Sequence, residues 1–150
     1  GLVTFGNHVT LAAPVKGDVD AVRHALDDVR PAPEHQAYPK SFVLDAVTAG
    51  ITLAGAKPGR SLVVLLTDGG DNASWSRTDD VTDLAKSLGV GVVVISAPRT
   101  SDTRDFHLGM ENQPLDVLRH RGATEIKASD RRLPERIRER LRLLRLSGRR

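Results

Sequence analysis

Apolar positions along this chain change period several times, and each change marks an element. Leu2 to Phe5 and His8 to Ala13 are short β-prone runs separated by Gly6-Asn7, which predicts a hairpin whose turn uses residues tolerant of positive φ. Asp18 stands as an N-cap ahead of Val22, Ala25, Leu26 and Val29, which share one helical face, and Pro31 stops that helix. Pro31 to Lys40 has three prolines and little apolar content, so it reads as a loop. A second helix is expected from Ser41 to about Ala54, burying Phe42, Val43, Ala46, Val47, Ala49 and Leu53.

Beyond that point the pattern changes from periodic to continuous. Ser61 to Thr67 and Val90 to Ser96 are apolar at consecutive positions, as strands covered on both faces are. Between them, Asp68-Gly69-Gly70-Asp71-Asn72 breaks the first strand, and Asp79 to Leu88 reads as a helix ended by Gly89. Pro98 to Pro114 is a long polar loop, Leu115 to Arg121 a short helix, and Ala123 to Lys127 an edge strand. A last helix, roughly Leu133 to Leu146, aligns Leu133, Ile137, Leu141 and Leu144. Alternating helices and buried strands predict an α/β fold of three layers, with a mostly parallel sheet and the hairpin at one edge.

Composition narrows the class. The chain has 150 residues, 39% hydrophobic and 27% charged, with 13 Gly, 8 Pro and no Cys. That suits one globular domain and excludes wholesale disorder, collagen and coiled coil. It also excludes disulfides, thiolate zinc sites and a cysteine nucleophile. Leu62 to Leu66 and Val92 to Ile95 are far too short to cross a bilayer. Gly1 to Phe5 has no basic start and no cleavage site, and the chain opens inside a strand-like run without Met, so it reads as a fragment. Ala, Arg and Val richness gives a high-GC bacterial impression.

Charge divides the chain in two. Residues 131–150 hold nine Arg against Glu135 and Glu139, a net of +7, and the whole chain is +3, which leaves residues 1–130 at −4. Residues 1–130 are thus taken as the domain core and residues 131–150 as an Arg-rich amphipathic helix and tail. The basic helix offers a surface for nucleic acid or anionic lipid. A terminal helix docking its apolar stripe with Arg in water is the better reading, and aromatics at 3% are few for stacking bases.

Candidate chemistry gathers at the carboxyl ends of the strands, where open α/β sheets bind ligands. Asp68 ends a buried strand and is followed by Gly69 and Gly70, so a carboxylate and open backbone reach one rim, a setting suited to Mg²⁺. As turn residues, Asp68 and Asp71 would instead bond their own backbone. Ser41 opens a helix on the same rim, where its hydroxyl serves either as an N-cap or toward a cation. Gly89-Val90-Gly91 precedes a strand and is no dinucleotide fingerprint, and Lys40-Ser41 lacks the glycines of a phosphate loop. There is no Gly-x-Ser-x-Gly elbow and no triad, and the five His show no ligand spacing. Asn72-Ala73-Ser74 matches a glycosylation pattern, and Trp75 suits a lid or a surface contact.

Ser41-Phe42-Val43-Leu44-Asp45-Ala46-Val47 and Val63-Val64-Leu65-Leu66-Thr67-Asp68-Gly69-Gly70-Asp71-Asn72 resemble a von Willebrand factor type A domain. Leu2 to Asn7 is similar to that family's second strand, and His8 to Ala13 to its antiparallel edge strand. Leu118-Arg119-His120-Arg121-Gly122-Ala123-Thr124 resembles its late helix and the turn into its last strand.

The resemblance implies a Rossmann-like three-layer fold and a metal-ion-dependent adhesion site fed by three loops. Asp68 matches the third loop's Asp, and Ser41 stands where a Thr is usual in the second. Asp-x-Ser-x-Ser, which ends the family's first and central strand, is absent, so that strand is expected to be missing from this chain. The implied function is a protein-binding module in which a cation, Mg²⁺ or Mn²⁺, bridges to a partner carboxylate. Asp68 and Ser41 would be ligands, with Gly69, Gly70 and Asp71 in the surrounding loop. With the site incomplete, metal binding is expected to be weak or absent and the domain sticky. No catalytic residue is assigned, and an extracytoplasmic setting follows from the resemblance alone. A Mg²⁺-dependent hydrolase or phosphotransferase using Asp68 is the alternative, and binding through the basic helix is the third option.

Overall fold

Uncharged, valine-rich segments of this chain find their backbone partners in each other. The computed structural model describes residues 1–30, 40–97, 118 and 122–146. Strands β3 (Ser61–Thr67) and β4 (Val90–Ser96) pair in parallel from Ser61 opposite Val90 to Thr67 opposite Ser96. Strand β5 (Thr124–Lys127) pairs in parallel along the other edge of β4, giving the order β3-β4-β5. Strands β1 (Leu2–Thr4) and β2 (Thr10–Ala13) form a separate two-stranded antiparallel sheet. Helices α1 (Val19–Asp27), α2 (Val43–Gly55), α3 (Thr78–Ser87) and α4 (Leu133–Leu146) complete an α/β architecture.

Register decides which residues reach which layer. Partners side by side in a sheet point the same way, so Val63 and Leu65 share a face with Val92 and Val94. That face packs under α2 and α3, where Val43, Leu44, Val47 and Ile51 meet Val81 and Ala85 in the main core. On the opposite face Val93, Ile95 and Ile126 lie under Leu133 and Ile137 of α4. Helix α2 packs against β1 as well as β3 and β4, so one helix carries both sheets.

Several expectations give way to this arrangement. The hairpin is not the edge of the parallel sheet; it bonds only to itself among the described strands. Its connection runs from Thr4 to Thr10, and neither Gly6 nor Asn7 takes a positive φ, so it is a longer loop than a two-residue turn. Strand β4 is buried as expected at Val90, Val93, Val94 and Ile95, but β3 is not covered on both faces: Val64 is 44% and Leu66 62% exposed. Helix α4 packs on Val93, Ile95 and Ile126, and the described residues leave Val64 and Leu66 exposed.

Local chemistry accounts for the helices. The Asp18 carboxylate accepts from the Ala21 amide at 3.0 Å, an N-cap where the sequence places one. Helix α1 nevertheless buries none of its residues, and Leu26 stays exposed. Helix α2 starts at Val43 rather than Ser41, with Phe42 in the capping position and no side-chain cap of its own. Leu44 and Ile51 join its buried face, whereas Phe42, Ala49 and Leu53 are only half-buried. Leu141 of α4 is exposed instead of packed. Leu118 is helical and buried; the rest of the expected helix at 115–121, most of the loop at 31–40 and the loop at 98–114 lie outside the described residues.

Candidate binding rim

Because Phe42 cannot cap α2, its first amides need acceptors from elsewhere. They come from the loop that follows β3. Asp71 Oδ2 accepts from the Leu44 amide at 2.9 Å, while Asp71 Oδ1 accepts from the Ala73 and Ser74 amides at 3.3 and 3.1 Å. One carboxylate thus closes its own turn and caps a helix 27 residues away. Negative charge at that helix end is also favourable to the helix dipole.

Asp45, in the first turn of α2, returns the contact. Its two oxygens accept from the Trp75 and Ser76 amides at 3.1 and 2.8 Å, and its own amide donates to Ser74 Oγ at 3.2 Å. Burial works to raise the Asp45 carboxyl, but the Ser76 hydroxyl and the Ser76 and Trp75 amides outweigh it and hold the pKa below the usual carboxylate value. A lowered folded-state pKa gives stability that is present above the unfolded value and lost as pH falls through the folded one. Asp130 is lowered too, by the Arg132 amide and then by Arg136. Urea midpoints recorded from neutral pH downward are therefore expected to drop below about pH 4. In Asp45→Asn that acid slope is expected to become shallower, leaving the part due to Asp130; an unchanged slope would remove Asp45 from this account.

Ser41 and Asn72 form the third tie. The Ser41 amide donates to Asn72 Oδ1 at 2.7 Å, and the Ser41 carbonyl accepts from the Asn72 and Ala73 amides, both at 3.2 Å. The Lys40 amide donates to Asn7 Oδ1 at 3.2 Å, which attaches the loop after β1 to the same place. Three chain segments therefore meet at the carboxyl ends of β1 and β3: residues 5–9, 40–45 and 68–76.

Within this rim the sequence-predicted residues divide by role. Asp68 is exposed; its Oδ1 accepts from the Gly70 amide at 3.2 Å, the local turn expected of an Asp after a strand. Gly69 takes φ 97°, which favours glycine, and its amide donates to Thr67 Oγ1 at 3.1 Å. At Gly70 a Cβ would meet only Asp68 Oδ1, at 3.7 Å, so the space there is ordinary. Ser41 enters through its backbone, and its hydroxyl has no partner among the described residues. Asp71 faces α2, holding the loop. Trp75 is 92% exposed on a segment pinned at both flanking amides.

In the sequence Asn7 reads as a turn residue, Asp45 as part of the family-like run and Asn72 as part of a glycosylation pattern, and none of them is given a part in holding the rim. The one usable signal was Phe42, a residue unable to cap the helix it precedes. Among the described residues no three His, Cys, Asp or Glu side chains are grouped to hold a metal ion. The donors at the rim are hard oxygens, the type Mg²⁺ and Mn²⁺ take, but Asp68 and Ser41 supply few of them.

No family model and no curated protein matches this chain. Among solved structures it is similar to an uncharacterized membrane spanning protein from Vibrio fischeri. The two are 19% identical over 96% of this chain and 74% of that one, with a TM-score of 0.37, a likeness too low to carry an argument. No helix among the described residues is long and apolar enough to cross a membrane.

Proposed function

We propose that the chain is a protein-binding module of the von Willebrand factor type A kind, with a Rossmann-like sheet, acting through the rim at Asp68 and Ser41. The observation that supports this most is the division of labour at the rim. Asp71, Asn72, Asn7 and Asp45 tie three segments together, and the same segments carry the exposed Asp68 carboxylate and a Ser41 hydroxyl that has no partner among the described residues. Backbone segments held by such ties lose little freedom on binding, which favours recognition. The order of elements adds support: an antiparallel hairpin, then a helix shared with a parallel sheet whose outer strand delivers Asp68.

Asp68 and Ser41 would hold a divalent cation, Mg²⁺ or Mn²⁺, which when bound offers an open coordination position to a partner carboxylate. With so few protein oxygens the cation alone binds weakly, with a dissociation constant on the order of millimolar. The basic helix is a poorer candidate for the interface, because three of its arginines already have partners within the chain. Arg136 pairs with Asp130 at 3.0 Å, Arg138 contacts Glu135 at 3.6 Å, and Arg140 donates to the Thr124 hydroxyl.

A Mg²⁺ titration followed through backbone amide shifts tests the reading. Weak, saturable shifts at Ser41 and at residues 68–72 are expected, with Asp68→Ala abolishing them and Ser41→Ala weakening them severalfold. Shifts elsewhere, or shifts that survive Asp68→Ala, would overturn the metal-dependent part.

A further inference from the structure

The end of the sheet opposite the rim holds a hollow of about 410 Å³, within the size range of small-molecule sites. It lies at the amino ends of the parallel strands. The residues leading into β3, β4 and β5 all border it, and each brings a glycine in the left-handed region: Gly59 at φ 102°, Gly89 at 63° and Gly122 at 108°. A Cβ at any of the three would meet no atom within 4 Å, so these glycines are needed for the direction of the chain and not for space.

The surface inside is divided by chemistry. The exposed Leu88 at the end of α3, with the half-buried Val92 of β4 and Ala123, gives it an apolar wall, laid over the buried Val81, Ala85, Val90 and Leu118. Its charged lining is Arg60 and Lys86, and no acidic side chain lines it among the described residues. Lys86 lies in the last turn of α3, where it suits the helix dipole, and makes a long 3.9 Å contact with Asp83. Arg60 stands on the approach to β3 and is exposed. Two elements distant in sequence thus bring positive charge to one apolar hollow.

We infer that this hollow binds a small amphiphilic anion, an acyl or aryl carboxylate. Its apolar part rests on the α3 and β4 wall, and Arg60 and Lys86 hold its carboxylate through charge-assisted hydrogen bonds. The site stands apart from the rim and does not depend on the rim's function. Sodium octanoate titrated into the full chain, below its micellar concentration, is the probe, read by backbone amide shifts. Saturable shifts at Gly59, Gly89, Gly91 and Gly122 are expected. Arg60→Glu and Lys86→Glu, both at exposed positions, are each expected to weaken binding about tenfold. Octylammonium, with the same chain and the opposite charge, is expected not to bind. Absence of saturable shifts would overturn the inference. So would shifts centred on Val64 and Leu66, equal binding of octylammonium, or affinity unchanged in both variants.

Discussion

Asp71→Ala is expected to lower the unfolding free energy by about 2–3 kcal/mol, the loss of an N-cap together with loop amides left without an acceptor. The size follows from the number of donors that one carboxylate serves: Leu44 at the start of α2, and Ala73 and Ser74 in its own loop. A local cap would affect one helix. This one also detaches the segment that presents Asp68 and Trp75. Urea unfolding gives the free energy, and amide hydrogen exchange at Leu44, Ala73 and Ser74 shows whether the loss is local. Asp71→Asn keeps one acceptor oxygen and is expected to lose roughly half as much. Equal stability of Asp71→Ala and the parent chain would mean that α2 and the loop are held by something else.

Leu66→Lys is expected to suppress self-association. Strand β3 is the outer strand of its sheet among the described residues, and Ser61 to Thr67 contains neither a charge nor a proline. Leu66, 62% exposed, and Val64, 44% exposed, stand on the same uncovered face. A flat, uncharged, apolar edge is a template for pairing with another chain, and lysine is a common protection against it. Light scattering across a concentration series is expected to show association of the parent chain, with onset moved about tenfold higher in Leu66→Lys. Substitution at so exposed a position is expected to change monomer stability by about 0.5 kcal/mol or less. A Leu66→Lys variant that unfolds would show instead that this face is covered in solution.

Both results turn on the difference between local and distant information in the sequence. Asp18 capped α1 as read, because the acceptor lies three residues before its donor. Strands β3 and β4 were legible from their continuous apolar runs and are paired in parallel over their full length. Coverage of β3 was not legible. A doubly apolar strand shows that two faces favour burial, but only the arrangement of helices shows that α4 packs on Val93, Ile95 and Ile126 while Leu66 stays exposed among the described residues. The rim divides in the same way. Asp68 and its turn follow from a strand ending in Asp-Gly-Gly. Asp71 as the cap of α2 and Asn72 as the acceptor for Ser41 depend on contacts across about thirty residues of chain, which no periodicity records. The Ser41 hydroxyl was expected either to cap the helix or to face a cation; it makes no cap, and the Ser41 backbone makes the bonds to Asn72 and Ala73.

The most direct measurement is a map of Mn²⁺-induced line broadening over the backbone amides of the full chain, with and without acetate as a stand-in for a partner carboxylate. The account predicts broadening confined to Ser41 and residues 68–72. Acetate is expected to strengthen it at a given Mn²⁺ concentration, and Asp68→Ala to remove it. Broadening spread over the acidic surface, or centred away from Asp68 and indifferent to acetate, would contradict a cation-dependent binding rim.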